Sequence, residues 1–340
     1  MKKMILLFCL SFLVIHLPAE KVTVFKDLIN PDSMVIDGAT IYITQQAEVL
    51  VYDAKTFKLK MKFGKIGQGP QEIPPFVIPM GGIPLMKVTP LADKLFIAAT
   101  GKILYFTKEG KYISETKFPT QRIQNYGNIF PLGSDVICQQ SIVANKEFII
   151  SAAILDQNFK QKKELKRKKV ETQSGKINVI DSAMVLDVYR DEIFIVGDGL
   201  SIDVYDRTGK FLRQIKHPHE PIKFTSAKQK EFDETMKYMF KSFYEQMKTV
   251  LYYPDYLPVI YGNLQFSGDY LYVFTWIYEG DNRDLFIFKL DGALVKKITA
   301  PLKMIKFTLP YPYDIVNKTL YQLRDNEETE EWELHRTALH

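Results

Sequence analysis

One unit recurs along this chain and limits what it can become. A short apolar strand pattern, a polar turn, a second apolar strand and a brief break come first. A third strand with paired Tyr or Phe, an Asp/Gly-type turn and a basic fourth strand follow. The clearest copies of the second half are Leu200–Ile215 (LSIDVYDRTGKFLRQI), Gly101–Phe118 (GKILYFTKEGKYISETKF), Asp284–Ile298 (DLFIFKLDGALVKKI) and Val49–Phe63 (VLVYDAKTFKLKMKF), with a worn copy at Phe148–Leu165. Each is preceded by another strand pair, whose second member begins at Ile41, Leu95, Val136, Ile193 and Leu271, with a sixth at Leu320. These six anchors are 54, 41, 57, 78 and 49 residues apart.

Solenoids keep a tighter period, whereas the four-stranded blades of a β-propeller tolerate uneven loops between units of about 40–50 residues. Aromatic residues make up 13% of the chain, including 23 Phe and 19 Tyr, which suits pleated, half-buried surfaces. The expectation is an all-β, six-bladed β-propeller. Its sixth unit offers strands near Tyr313–Val316, Thr319–Leu323 and Glu331–Arg336 but no fourth. Lys21–Asp27 (KVTVFKD) is a strand without a sheet of its own. Pairing it onto the last unit closes the ring and leaves no open sheet edge between first and last blades.

The Asp-x-x-Gly hairpins after an aromatic strand, together with Gly64-Lys-Ile-Gly-Gln-Gly-Pro70, resemble the bacterial extracytoplasmic six-bladed propellers with NHL-type repeats. In that group a Gly-x-x-Gly-x-Gly-Pro-Gly-Glu-Phe stretch often follows the fourth strand of a blade. Gly64, Gly67, Gly69, Pro70 and Glu72 match it, while Gln71 and Ile73 depart from it. The resemblance implies the fold and an extracytoplasmic location. It implies no activity, because fold alone does not carry function.

The first 19 residues read as a secretory signal. Lys2 and Lys3 open it, Met4–Leu17 is apolar except for Ser11 and His16, and Pro18-Ala19 ends it. The run is shorter than the roughly 20 residues that cross a bilayer. Cleavage after Ala19 leaves residues 20–340 as one domain in the periplasm or outside the cell, without a transmembrane span. Leu17 is larger than cleavage sites prefer, so an uncleaved anchor stays open as an alternative. Cleavage brings the net charge from +5 to +3, far from a nucleic-acid-binding composition. It also leaves Cys138 as the one cysteine, in an apolar strand pattern that predicts a buried, inert thiol.

Within a blade the chain reverses at every strand, so loops joining strands two to three and blade to blade share one face. The long segments 64–86, 119–127, 166–183, 217–263 and 299–312 all fall there, which makes it the expected binding face. The longest is a helical insertion between blades 4 and 5, about Ser226 to Leu251. It has Ser226 as N-cap and an apolar stripe from Phe232 to Val250 that predicts a lid packed on the propeller. On this face Lys65, Arg122, Tyr126, Tyr252, Tyr253 and Tyr256 are the expected ligand-binding residues, for an anionic, carbohydrate or protein ligand. The basic run Lys160–Lys169, passing from a strand into a loop, is the weaker candidate beside its reading as a solvated charge run.

Chemistry is harder to find. Gly64–Gly69 lacks the ending of a phosphate-binding loop, and Pro70, Pro74, Pro75 and Pro79 prevent a following helix. His217-Pro-His219-Glu220 falls short of a three-ligand metal set, and no nucleophile elbow or His-Glu-x-x-His occurs. The expected function is an exported binding module with no assigned catalytic residue, metal or cofactor. The alternative is a metal-assisted lyase or hydrolase with acids from different blades meeting at the mouth of the central channel.

Overall fold

The computed structural model describes residues 18–74, 86–119, 126–144, 147–180, 184–197 and 199–339. Of the leader expected over residues 1–19, residues 1–17 lie outside them. Among the described residues no helix is long and apolar enough to cross a membrane.

The chain is all-β, and among the described residues six sheets are four-stranded and antiparallel, five of them with their strands in sequence order. Sheet 1 holds Pro31–Asp37, Thr40–Gln45, Glu48–Asp53 and Leu59–Phe63. Sheet 2 holds Lys87–Pro90, Lys94–Ala99, Lys102–Thr107 and Tyr112–Lys117. Sheet 3 holds Tyr126–Leu132, Asp135–Ala144, Glu147–Leu155 and Gln161–Lys169. Sheet 4 holds Val185–Tyr189, Glu192–Val196, Ser201–Asp206 and Phe211–Lys216. Sheet 5 holds Gln265–Ser267, Tyr270–Glu279, Asn282–Lys289 and Leu294–Pro301. Sheet 6 holds Tyr313–Val316, Thr319–Asn326 and Glu331–Ala338, and its outer strand is Glu20–Phe25, with Lys21 opposite His335 and Phe25 opposite Trp332. The architecture is that of a β-propeller.

The apolar runs follow from what lies on each side of a sheet. In the strand Glu192–Val196, Ile193 and Ile195 pack with sheet 3 residues such as Ile150, while Phe194 and Val196 pack with sheet 5 residues such as Val273. A period-two strand buried on both faces is apolar at almost every position. Six clusters result, one for each neighbouring pair of sheets, including sheets 5 and 6 and sheets 6 and 1. Cys138 is fully buried in the cluster between sheets 2 and 3, which pushes its thiol up to about 12 and leaves it unreactive.

The repeated Gly in the last hairpin of a unit has a packing role. A Cβ on Gly110 would sit 2.7 Å from Phe63 Cδ1, one on Gly209 2.5 Å from Leu165 Cδ2, and one on Gly292 3.2 Å from Ile215 Cγ1. Each hairpin thus presses against the outer strand of the preceding sheet. The Gly64–Gly69 turn is structural as well. Glu72 folds back to accept from the Gly69 N–H at 2.9 Å, and the buried Lys102 ammonium donates to the Gly69 carbonyl at 2.9 Å.

Three expectations need correction. The insertion is not one helix: α1 (Ser226–Phe240) and α2 (Tyr244–Thr249) are separated by a 3-10 turn, and Leu251–Tyr252 is extended. The N-cap is Thr225, whose hydroxyl accepts from the Lys228 N–H, so Ser226 is the first helical residue. Phe232, Thr235 and Tyr244 are buried, while Val250, just past the end of α2, is exposed. The basic run does not enter a loop either, since strand pairing with Ile149 carries it to Lys169.

Candidate functional site

The insertion and the long connections around it frame an open groove of about 430 Å³. Lys168, Glu171 and Asn178 line it together with Tyr256, Tyr261 and Trp276 and with Pro221, Pro254 and Pro258. Thr225 starts α1 and Phe232 seats it against Phe224 and Tyr253, with ring centroids 6.0 and 6.2 Å away. Glu231 accepts from the Tyr278 hydroxyl at 2.6 Å, and the Lys228 ammonium lies 4.0 Å over the Tyr278 ring. These contacts fix the helix on sheet 5. They leave the following stretch, Tyr253–Gly262, to form the groove wall. Trp276 stands edge-on to Tyr261 at 4.8 Å and donates its indole N–H to the Ile260 carbonyl at 3.2 Å, so both rings are held in place.

The expected ligand residues separate. Tyr256 lines the groove and is 57% exposed, a large aromatic face held out to solvent. Tyr252 sits in the short strand beside Lys176–Asn178, its hydroxyl 3.5 Å from the Glu171 carboxylate at the groove edge. Tyr253 instead donates to Asp233 and supports α1. Lys65 pairs with Glu72 at 3.2 Å in the turn after sheet 1 and does not line the groove. Arg122 lies outside the described residues, and so does the side chain of Tyr126. The basic run is largely neutralised: Lys162 pairs with Asp135, Arg167 with Glu164, Lys166 with Asp203 and Lys169 with Glu147.

A second cavity, of about 500 Å³, is lined by the first strand of all six four-stranded sheets. It reaches the turns at Gly133 and Arg190-Asp191, on the side away from the groove. Three charged side chains of the first strands share it. Asp314 accepts the Ile36 N–H at 2.7 Å and its neighbour's N–H at 2.8 Å, and Asp187 accepts the Val188 N–H at 2.8 Å. The Lys87 ammonium is 4.0 Å from Asp187 and 4.1 Å above the Phe130 ring. Burial raises both carboxyls, Asp314 to about 6, with the Asp187 charge adding to that rise. An acid with a folded-state pKa above its ordinary 3.8 contributes most stability below that pH and loses it as pH climbs through 6. Asp314→Asn should therefore flatten the stability profile between pH 4 and 7, by on the order of 2–3 kcal/mol in urea denaturation. Parallel profiles for variant and wild type would rule out a buried carboxyl here.

These cavity acids were missed as candidates, although a signal existed. An Asp breaks the apolar pattern in the first strand of two units, Leu186-Asp187-Val188 and Tyr313-Asp314-Ile315, and each bonds the N–H of the residue that follows. His217 is a packing residue: its ring lies 4.3 Å from Phe286, its Nδ1 accepts the His219 N–H at 3.3 Å, and burial lowers it to about 4. Among the described residues no three His, Cys, Asp or Glu side chains converge to hold a metal.

No protein-family model matches the chain, and no curated protein does. Its backbone is loosely similar to solved structures. BamB from Moraxella catarrhalis is 10% identical, covering 89% of this chain and 71% of that one, with a TM-score of 0.35. Kluyveromyces lactis Hsv2 is 12% identical, covering 89% and 97%, with a TM-score of 0.38. A protein of unknown function from Bacteroides caccae is 9% identical, covering 84% and 83%, with a TM-score of 0.38. Likeness at this level assigns neither partner nor activity.

Proposed function

We propose that the six four-stranded sheets are the blades of a closed six-bladed propeller of an exported protein, and that it is a binding module whose ligand occupies the 430 Å³ groove. Support for the ring comes from the pairing of Glu20–Phe25 with Glu331–Ala338, the core cluster shared by sheets 6 and 1, and the cavity walled by six first strands. Support for the groove is one convergence: Tyr256, Tyr261 and Trp276 gather beside Lys168, Asn178 and Glu171 on the side carrying the long connections. Concave, aromatic-lined sites with a few polar groups are where small ligands and peptide segments bind. Export rests on the Lys2–Ala19 pattern, and a mature chain beginning at Glu20 by N-terminal sequencing would support it.

The test is a glycan and peptide array probed with wild type and Tyr256→Ser. Tyr256 is exposed, so the change should leave the fold intact while weakening groove binding at least ~10-fold, the usual loss for an aromatic anchor. Equal binding by both proteins removes the groove from the function.

The buried carboxylates Asp187 and Asp314 favour a second reading, a metal-assisted lyase or hydrolase working in the central channel. Elemental analysis separates the two. A stoichiometric divalent metal that survives dialysis in wild type and is lost from Asp187→Asn supports the enzyme, and its absence leaves the binding module.

A further inference from the structure

Arg283 is 1% exposed and one of the largest fully buried side chains. Its guanidinium donates to the Thr275 carbonyl at 3.3 Å and to the Phe307 carbonyl at 3.1 Å, and its Nε–H has no partner. Tyr261 and Tyr278 flank it, with ring centroids 4.4 and 5.0 Å away. Among the described residues no carboxylate comes within ion-pairing distance of it. The nearest acid to act on it, Glu231, is engaged by the Tyr278 hydroxyl and shares its charge with Lys228, which lies over the same ring. Two cations and one carboxylate leave this corner with an excess positive charge. Buried charges are normally paired, because removing an ion from water costs several kcal/mol.

The groove lies immediately next to this charge. Tyr261, Trp276 and Thr308 line it; they carry the guanidinium on a ring or adjoin the two residues whose carbonyls hold it. Tyr261 is itself 3% exposed, and its hydroxyl has no hydrogen-bond partner. Lys168 and Glu171, of opposite charge, also line the groove. A positive charge in a poorly hydrated wall projects its field into the adjoining groove far more strongly than a surface lysine does.

The geometry points to a ligand that places a carboxylate in the groove beside Tyr261, where it offsets the Arg283 charge across that ring. This rests on the groove being the binding site and specifies what it selects. Neutral sugars and uncharged peptide segments are then poor ligands. Ligands that end in, or carry, a carboxylate are favoured.

Acetate is the minimal probe, and acetamide its neutral twin. Thermal unfolding and tryptophan fluorescence are followed in the full chain while each is titrated at fixed ionic strength, in wild type and Arg283→Met. Methionine fills similar volume without charge, and such replacements commonly leave a fold intact or more stable. Acetate should raise the wild-type midpoint logarithmically with its concentration, by ~2–3 °C near tenfold excess over its Kd, and change the tryptophan emission saturably. Acetamide should do neither, and Arg283→Met should respond to neither. Midpoints that rise in parallel in both proteins, or a wild type indifferent to acetate, overturn the inference. A Tyr256-dependent ligand found without any acetate response leaves the groove in place and removes its carboxylate selectivity. An acetate response lost in Arg283→Met, without any Tyr256-dependent ligand, keeps the anion site and removes the groove as the docking surface.

Discussion

Phe25→Ala is expected to lower the unfolding free energy by ~3–5 kcal/mol, read as a lower denaturant midpoint at unchanged slope. Phe25 ends the N-terminal strand, is 2% exposed, and lies 4.4 Å from Tyr52 of sheet 1 between centroids. It belongs to the cluster that also contains Leu323 and Leu334 of sheet 6 and Ile41 and Ile43 of sheet 1. Removing the ring leaves a void where the first and last sheets meet, which close packing around it cannot refill. Four residues on, Ile29 is 68% exposed, so Ile29→Ala should change stability by less than ~0.5 kcal/mol and serves as the control. A loss below ~1 kcal/mol for Phe25→Ala would mean that the N-terminal strand is peripheral, and the closed ring would fall with it.

Gly209→Ala should cost ~2–4 kcal/mol, from two separable sources. Gly209 has φ +77, a left-handed conformation that strains any residue with a Cβ by ~1–2 kcal/mol. The added methyl would also lie 2.5 Å from Leu165 Cδ2 and 2.9 Å from Lys163 Cδ on sheet 3, and overpacking of that kind adds ~1–3 kcal/mol. Gly268 isolates the first source. Its φ is +59 and a Cβ there meets nothing within 4 Å. Gly268→Ala should show backbone strain alone, and the difference between the two variants measures how tightly neighbouring sheets are wedged by the repeated hairpin glycine. Equal losses would show that the glycine serves only the turn.

The repeat unit and its turns were legible in the sequence because each strand carries its own pattern. Leu200–Ile215 reads as two strands around an Asp-x-x-Gly hairpin, and strands Ser201–Asp206 and Phe211–Lys216 form there. The unpaired Lys21–Asp27 strand and the three-stranded last unit predicted their own pairing, since a missing strand at one end and a spare one at the other satisfy each other's hydrogen bonds. Cys138 was equally plain, because an apolar strand buried on both faces has no room for a reactive thiol.

The candidate site was legible only as a face. Tyr256 was recoverable as an aromatic on a long loop, but Tyr253 carries the same signal and spends its hydroxyl on Asp233. The strand signals that named sheet 5 also hid Arg283, whose place in an apolar strand looks like an ordinary exposed position of a half-buried pattern. Local order came from the sequence because hydrogen-bonding turns and period-two alternation act over a few residues. Which side chains share a cavity was decided only by the tertiary structure. Lys87, Asp187 and Asp314 are drawn from three sheets, and Tyr256, Trp276 and Lys168 from three separate stretches of chain. Electrostatic coupling and burial depend on distance through space, and no spacing along the chain encodes that distance.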